Sequence, residues 1–505
     1  MLVAAKRISD PRVPSWHRWS IVALLVVVFA LRVPGLDGPR FHPDEALFAS
    51  FARTIAVWRD PLLATAPVDK PPLLFYLQAL CYPFLGPREM AARLPNLYAS
   101  LVSVALTYAI VTRLIGRKRS LAPLVAALLT GLSPLAVAFG PTAFTDPLMV
   151  MWVLAALLAA VQGRLGYAGL WMGLGMATKY QAALFVPLTL GFLWWQGRGA
   201  MDRSAEGRGP SRASCMRSLL GMGVPLGLVA AWDWARSGAR PFIALQLRGY
   251  GELRPAAFQS WGGRLSSWLQ LGQYWTGSII LTGLVALAGV GLLVRWLRRG
   301  RVGSPSPLAL MMLGWLVGYG VLHWLTNVPV WDRYLLPMVP IASMAAGWGI
   351  DAVLAGAGSL ARLLTVVLAL ALILVPADRA AAGILPLGGD HGLYDGIEQV
   401  ADFLADSPYG TVLYDHWLSW HLRYYLFDSR VYVSWFPSPT VLEQDLRVFG
   451  DHSPRFLVRP AWEEAAPLEA AVVRAGYQLS LTYAAHRPDG STSFLIYRII
   501  PADEG

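Results

Sequence analysis

From residue 20 to residue 376 the chain alternates long apolar runs with short polar loops. The runs fall at 20–36, 93–115, 120–139, 143–162, 166–178, 181–196, 218–235, 274–296, 307–325, 334–354 and 360–376. Runs of this kind predict about eleven membrane spans. A further stretch, 71–86, is short and opens on Pro71-Pro72. Basic residues cluster at Lys6, Arg7, Arg12 and Arg18, at Arg113, Arg117, Lys118 and Arg119, at Arg198, Arg203, Arg208, Arg212 and Arg217, and at Arg295, Arg298, Arg299 and Arg301. Placing every cluster in the cytoplasm fixes the direction of the chain. The N-terminus is then inside and 37–92 outside, and 71–86 returns to the outer face as an interfacial or re-entrant helix. The Trp-rich stretch 236–273 becomes an external, partly amphipathic loop, and the tryptophans of 232–275 are candidates to shape an acceptor groove. The low-complexity loop 197–217 is expected to be mobile. The first run has no small-residue cleavage site after it, so a signal peptide is not expected.

Beyond residue 376 the period changes. β-rich runs occur at 411–414, 431–435, 455–459, 479–484 and 494–499, and helical patterns at 394–405, 416–426, 439–449 and 466–475. This alternation predicts a small α/β domain. The charge changes sign at the same place: the chain is +11 overall, yet 377–505 holds 9 basic and 17 acidic residues. The expected division is therefore a transmembrane domain, 1–376, carrying the external loop 37–92, and an extracytoplasmic α/β domain, 377–505.

Composition narrows the function. The chain is 55% hydrophobic and 14% charged, against about 25% charged in soluble domains, which excludes a soluble globular protein and a disordered one. Two cysteines, Cys81 and Cys215, cannot build a disulfide framework or a thiolate metal site. The basic excess sits in short loops between apolar runs, so a nucleic-acid partner is not expected.

Ionisable residues near membrane depth are costly and point to function. In the topology above, Asp44, Glu45, Asp69, Lys70, Asp146, Lys179, Asp332 and Arg333 all lie near the outer ends of spans. Only four lysines stand against 38 arginines, and two of the four, Lys70 and Lys179, are in this set. Lysine is a compact point charge suited to a phosphate.

These residues occur in segments that resemble the motifs of the GT-C membrane glycosyltransferases. Phe41-His42-Pro43-Asp44-Glu45-Ala46 is similar to their Asp-Glu signature in the first external loop, and Lys70-Pro71-Pro72-Leu73 to their Lys-Pro-Pro segment. Ala92-Arg93-Leu94-Pro95, Phe144-Thr145-Asp146, Met176-Ala177-Thr178-Lys179 and Asp332-Arg333-Tyr334-Leu335-Leu336-Pro337 follow in the family's order. The resemblance covers about 1–376 and points to bacterial aminoarabinose–lipid A transferases and protein O-mannosyltransferases (the glycosyltransferase 39/83-like group). Phe48 stands where several of these have Tyr, and Asp69 where the aminoarabinose enzymes tend to have Glu; both departures bear on the acceptor and on any metal site.

The resemblance implies a polytopic α-helical GT-C protein in the bacterial cytoplasmic (inner) membrane. It implies transfer of a sugar from a polyprenyl-phosphate-linked donor to a lipid, glycan or protein acceptor at the outer face. An attacking hydroxyl must lose a proton, so a carboxylate must be in reach; Asp44 is the expected base, with adjacent Glu45 in a different role. The leaving lipid phosphate gains charge, so cations must face it; Lys70, Lys179 and Arg333 are expected there, with Arg93, Asp146 and Tyr334 as further binding residues. Attack opposite the phosphate predicts inversion. No cofactor is required; a divalent metal is possible, with His42 and Asp146 as ligands, but is not expected, and the chain has no Asp-x-Asp.

Simpler readings stand beside these. Asp44 and Glu45 also suit a helix start, Lys70 an interface anchor, Asp146 a helix cap, and Asp332-Arg333 a local ion pair. His416 and His421 are five apart, which is not one helix face, and receive no role. A polytopic lipid-carrier flippase or transporter is the alternative function. It calls for charged or broken-helix sites at mid-span, and Asp233 and His323, the main exceptions to clean mid-spans, lie towards the outer ends.

Overall fold

The structure, a computed structural model, describes residues 15–115, 120–201, 212–236, 241–249, 254–287, 307–354 and 358–502. The basic residues at 6–12, 117–119 and 295–301, the middle of the loop 197–217 and the second half of the run 274–296 lie outside the described residues. By contact the chain forms two units, Met1–Leu36 with Asp60–Gln78 and Arg93–Gly388, and Asp37–Arg59 with Ala79–Ala92 and Gly389–Gly505.

The first unit is helical. Among the described residues, Ser15–Asp37, Glu89–Ile115, Met216–Ala235, Pro307–Leu325 and Ser359–Ala381 are long and apolar enough to cross a membrane. Helix Leu73–Leu85 has 13 residues and rises about 20 Å, short of a hydrocarbon core of about 30 Å. Two expected runs are broken. The run 120–139 splits into Ala122–Gly131 and Pro134–Phe139, because Pro134 lacks the N–H needed to continue the preceding helix but suits the start of a new one. The run 181–196 begins as a 3-10 turn, Tyr180–Phe185, before helix Val186–Met201. Helix Ser359–Ala381 carries Pro376 inside it, so the boundary expected at 376/377 falls within a helix.

Glycines set the tightest packing in this unit. Helix Leu165–Thr178 lies against helix Arg212–Ala235. A Cβ on Gly169 would sit 1.9 Å from the Ser218 carbonyl oxygen, and one on Gly221 would sit 2.3 Å from that of Gly166. Small residues let two helix backbones approach where no larger side chain fits. Gly169→Ala therefore separates two opposing effects. Alanine favours an isolated helix by about 1 kcal/mol, but the clash is with backbone and overpacking costs about 1–3 kcal/mol. The variant is expected to melt below wild type in detergent; an equal or higher melting temperature would show that the crossing relaxes freely.

The second unit is built on a mixed five-stranded sheet of order β2-β1-β3-β5-β4. Its strands are β1 Val412–Asp415, β2 Tyr432–Trp435, β3 Arg455–Pro460, β4 Tyr477–His486 and β5 Thr492–Pro501. β1 is parallel to both β2 and β3; β5 is antiparallel to β3 and β4. Strand alternation gives the sheet two buried faces. Leu413 and Val458 meet Ile397, Val400 and Leu422 on one. Tyr414 and Leu457 meet Leu442, Leu446 and Leu468 on the other.

Helix Pro43–Ala56 belongs to this unit and packs on helix Ser419–Tyr425. Arg53 donates to the Tyr424 carbonyl and to Asp428, both at 2.6 Å, with Phe427 beneath its guanidinium. Glu89 accepts from Arg40 at 2.8 Å and from the Tyr425 hydroxyl at 2.6 Å. His421 stacks on Tyr394, and its Nε2 lies 2.8 Å from the Phe41 carbonyl oxygen, while Nδ1 is buried and has no hydrogen-bond partner among the described residues.

Burial pushes the His421 pKa down from 6.5 to about 4, with His42 adding to the depression and the Phe41 carbonyl and Glu45 opposing it. The unfolded chain therefore takes up a proton between those values that the folded chain refuses. The corresponding stability is complete above pH 6.5 and is lost as pH falls towards 4, up to about 3 kcal/mol. Thermal melts from pH 7 to 4.5 are expected to fall more steeply for wild type than for His421→Gln. Parallel curves would exclude His421 as the source of acid sensitivity.

Candidate active site

In the helical unit, Asp146 begins helix Asp146–Val161 and is almost fully buried. Asn96 donates to the carbonyls of Thr142 and Phe144, at 2.6 and 2.5 Å, and so fixes the segment leading into it. Lys179 follows helix Leu165–Thr178 in an extended conformation (φ −158°, ψ 122°). That break in the helix turns its side chain to Asp146, and Nζ donates to Oδ1 at 2.6 Å. Both side chains are nearly excluded from solvent.

Aromatic rings and further cations surround this pair. The Tyr334 ring centroid lies 4.8 Å from Lys179 Nζ. The Arg333 guanidinium lies 4.7 Å from the Phe144 ring, 4.4 Å from Trp331 and 5.9 Å from Tyr334. Asp332 accepts from the backbone N–H groups of Arg333 and Gly388, both at 2.8 Å, so it shapes the turn carrying Arg333. Arg333 and Lys70 both lie within Coulombic range of Lys179, and Lys70 pairs with Asp69. The helical unit thus brings together Lys70, Asp146, Lys179, Arg333 and Tyr334. Arg93 is buried and donates to the carbonyls of Gly35 and Leu36.

Three cations, Lys70, Lys179 and Arg333, stand with three carboxylates, Asp69, Asp146 and Asp332, the last engaged by two backbone N–H groups. Cations held in low dielectric attract an anion far more strongly than they do in water. The arrangement suits an anionic group such as a phosphate.

In the other unit, His42 caps helix Pro43–Ala56. Its Nδ1 accepts from the Asp44 N–H at 3.1 Å, and its own N–H donates to Glu45 Oε2 at 3.0 Å. Glu45 is buried in this capping box, whereas Asp44 is half-buried. Two adjacent carboxylates therefore have different surroundings. His42 Nε2 lies 3.9 Å from Asp390. Among the described residues no group of three or more His, Cys, Asp or Glu side chains is placed to hold a metal ion.

Three polar residues of the helical unit escaped the sequence reading. Tyr319 donates to the Tyr334 carbonyl at 2.8 Å, and Gln181 donates to the Tyr319 hydroxyl and lies 3.2 Å from His323. Tyr319 and His323, four apart in an apolar helix, were the available signal, since that spacing aligns them on one face. Arg32, completely buried and donating to the carbonyls of Val28 and Gly131 at 3.0 and 3.1 Å, was hidden inside the first apolar run.

The chain has solved structural neighbours over nearly its whole length. ArnT from Cupriavidus metallidurans in the apo state superposes with a TM-score of 0.65 at 16% identity, covering 96% of this chain and 98% of that one. The fold is that of the GT-C membrane glycosyltransferases. The same ArnT bound to undecaprenyl phosphate gives a TM-score of 0.61 at 16% identity, covering 95% and 98%. The Archaeoglobus fulgidus oligosaccharyltransferase tethered to an acceptor peptide gives 0.53 at 13% identity, covering 95% of this chain and 74% of that one. The arabinofuranosyltransferase AftD from Mycobacteria gives 0.53 at 16% identity, covering 96% and 41%. Residues 69–205 match the family model described as dolichyl-phosphate-mannose-protein mannosyltransferase. That segment contains Lys70, Arg93, Asp146 and Lys179, and excludes Asp44 and Arg333. No curated protein matches the chain in sequence.

Proposed function

We propose that this protein is a membrane glycosyltransferase that moves a sugar from a polyprenyl-phosphate donor to an acceptor at the outer face of a bacterial cytoplasmic membrane. The observation that carries the reading is the buried gathering of cations at one place, Lys179 paired with Asp146 and with Tyr334, Arg333 and Lys70 beside it. The fold shared with an ArnT that binds undecaprenyl phosphate supports the same choice of donor.

In the proposed reaction an acceptor hydroxyl oxygen attacks the anomeric carbon while the bond to the phosphate oxygen breaks on the opposite face. The configuration inverts and the polyprenyl phosphate leaves with the bonding pair. Lys70, Lys179 and Arg333 stabilise the charge that develops on it. Asp44 takes the acceptor proton, and Glu45 holds the helix start that carries Asp44.

A transfer assay in nanodiscs tests this, using radiolabelled polyprenyl-phosphate sugars with membrane lipid extract as acceptor. Wild type is expected to transfer or release sugar. Lys70→Ala is expected to slow the reaction by about 10²-fold, the size of losing one donor to a developing oxyanion. If no donor binds at all, the lipid-carrier transporter takes first place.

A further inference from the structure

The sheet of the second unit has a feature that the transfer chemistry does not use. β1 runs into helix Ser419–Tyr425 and then β2 on one side of it; β2 runs into helix Pro439–Phe449 and then β3 on the other side. Leu422 of the first helix packs with Leu413 on one sheet face, whereas Leu442 and Leu446 of the second pack with Tyr414 on the other. The connections therefore diverge between β1 and β3. Open α/β sheets form their ligand crevices at such a switch point, beyond the carboxyl ends of the strands.

The residues at those strand ends are unusual. Trp417 follows β1 by two positions, Trp435 ends β2, and Trp462 follows β3 by two. They are 51%, 57% and 43% exposed. Trp417 and Trp462 approach across the switch point, with ring centroids 5.6 Å apart. The indole N–H groups of Trp417 and Trp435 are both used inward, to Glu463 Oε1 and to the His416 carbonyl, each at 3.0 Å. The rings are thus held by their polar edges with apolar surface left outward. His416 Nδ1 lies 3.0 Å from the same Glu463 oxygen, so a proton on Nδ1 faces the carboxylate and Nε2 is left to other partners. Glu463 Oε2 is buried and has no hydrogen-bond partner among the described residues.

We infer that this strand-end surface binds a saccharide, with the apolar face of a sugar ring on Trp417 and Trp462 and its hydroxyls on the His416–Glu463 pair. Preordered aromatic faces with a few convergent polar groups suit a ligand that is apolar on its ring face and polar at its edge. A bilayer anchor fits less well. Its tryptophans need no histidine–carboxylate pair at their centre, and the acidic character of 377–505 opposes an anionic lipid surface. Saccharide binding here is independent of the transferase reading.

The test is saturation-transfer NMR on the full chain in nanodiscs, with methyl α-mannopyranoside, methyl β-arabinopyranoside and N-acetylglucosamine as probes. Ring C–H protons of at least one probe are expected to receive saturation. Trp417→Ala with Trp462→Ala is expected to reduce that signal at least fivefold, while Trp417→Phe, which keeps an aromatic face, retains most of it. No transfer to any probe, or equal transfer in the double variant with an unchanged melting temperature, overturns the inference. So does broadening of the 5-fluorotryptophan resonance of Trp417 by spin-labelled lipid, which would make the cluster a membrane contact.

Discussion

Lys179→Met is expected to abolish sugar transfer and to lower stability by about 3–5 kcal/mol, because it strands a buried carboxylate. Asp146 is almost completely buried, and Lys179 is its ion-pair partner at 2.6 Å. Replacing both partners removes the uncompensated charge, and such double replacements are often close to neutral. Asp146→Asn combined with Lys179→Met should therefore recover most of the lost melting temperature in detergent without recovering activity. That pattern separates a structural pair from a functional cation. If the double variant regains transfer to within tenfold of wild type, Lys179 does not face the leaving phosphate.

The second large effect is expected at Asp44. Asp44→Asn keeps the shape of the side chain at the start of helix Pro43–Ala56 and removes its ability to take a proton. Loss of a general base typically costs about 10²–10⁴-fold, so kcat should fall by that amount with little change in melting temperature. Glu45→Gln should behave oppositely. Glu45 accepts from the His42 N–H within the capping box, and losing a cap contact costs about 0.5–2 kcal/mol of stability. A larger kcat loss in Glu45→Gln than in Asp44→Asn, with both variants folded, would exchange their roles.

Much of the fold was readable before the structure because it follows from local pattern. The expected helix at 439–449 is observed as Pro439–Phe449, and the expected strands at 431–435 and 455–459 as Tyr432–Trp435 and Arg455–Pro460. The grouping of 37–59 and 79–92 with 389–505 was not readable. It rests on pairs such as Arg53 with Asp428 and Tyr425 with Glu89, more than 300 residues apart. The candidate site was legible as a set of ionisable residues beside apolar runs. Its geometry was not, since the pairing of Lys179 with Asp146 depends on the extended backbone after Thr178. His416 and Trp417 were unreadable as part of a cluster because Trp462 and Glu463 lie in the turn after β3, distant in the chain.

The position of the buried pair has an electrostatic consequence. Asp146 is the first residue of its helix and Lys179 stands just past the end of the next. Aligned peptide dipoles place partial positive charge at a helix start and partial negative charge at a helix end. Each member of the pair therefore meets a backbone field of the sign that favours it, worth about 0.3–1 kcal/mol at exposed sites and up to about 2 when partly buried. That is less than the ion pair itself and a sizeable fraction of it. Under the proposed function, a phosphate that drew the Lys179 ammonium towards itself would leave Asp146 part of its stabilisation from its own helix. The lysine can then be lent to a passing anion at lower cost than a buried pair in a featureless apolar core would allow.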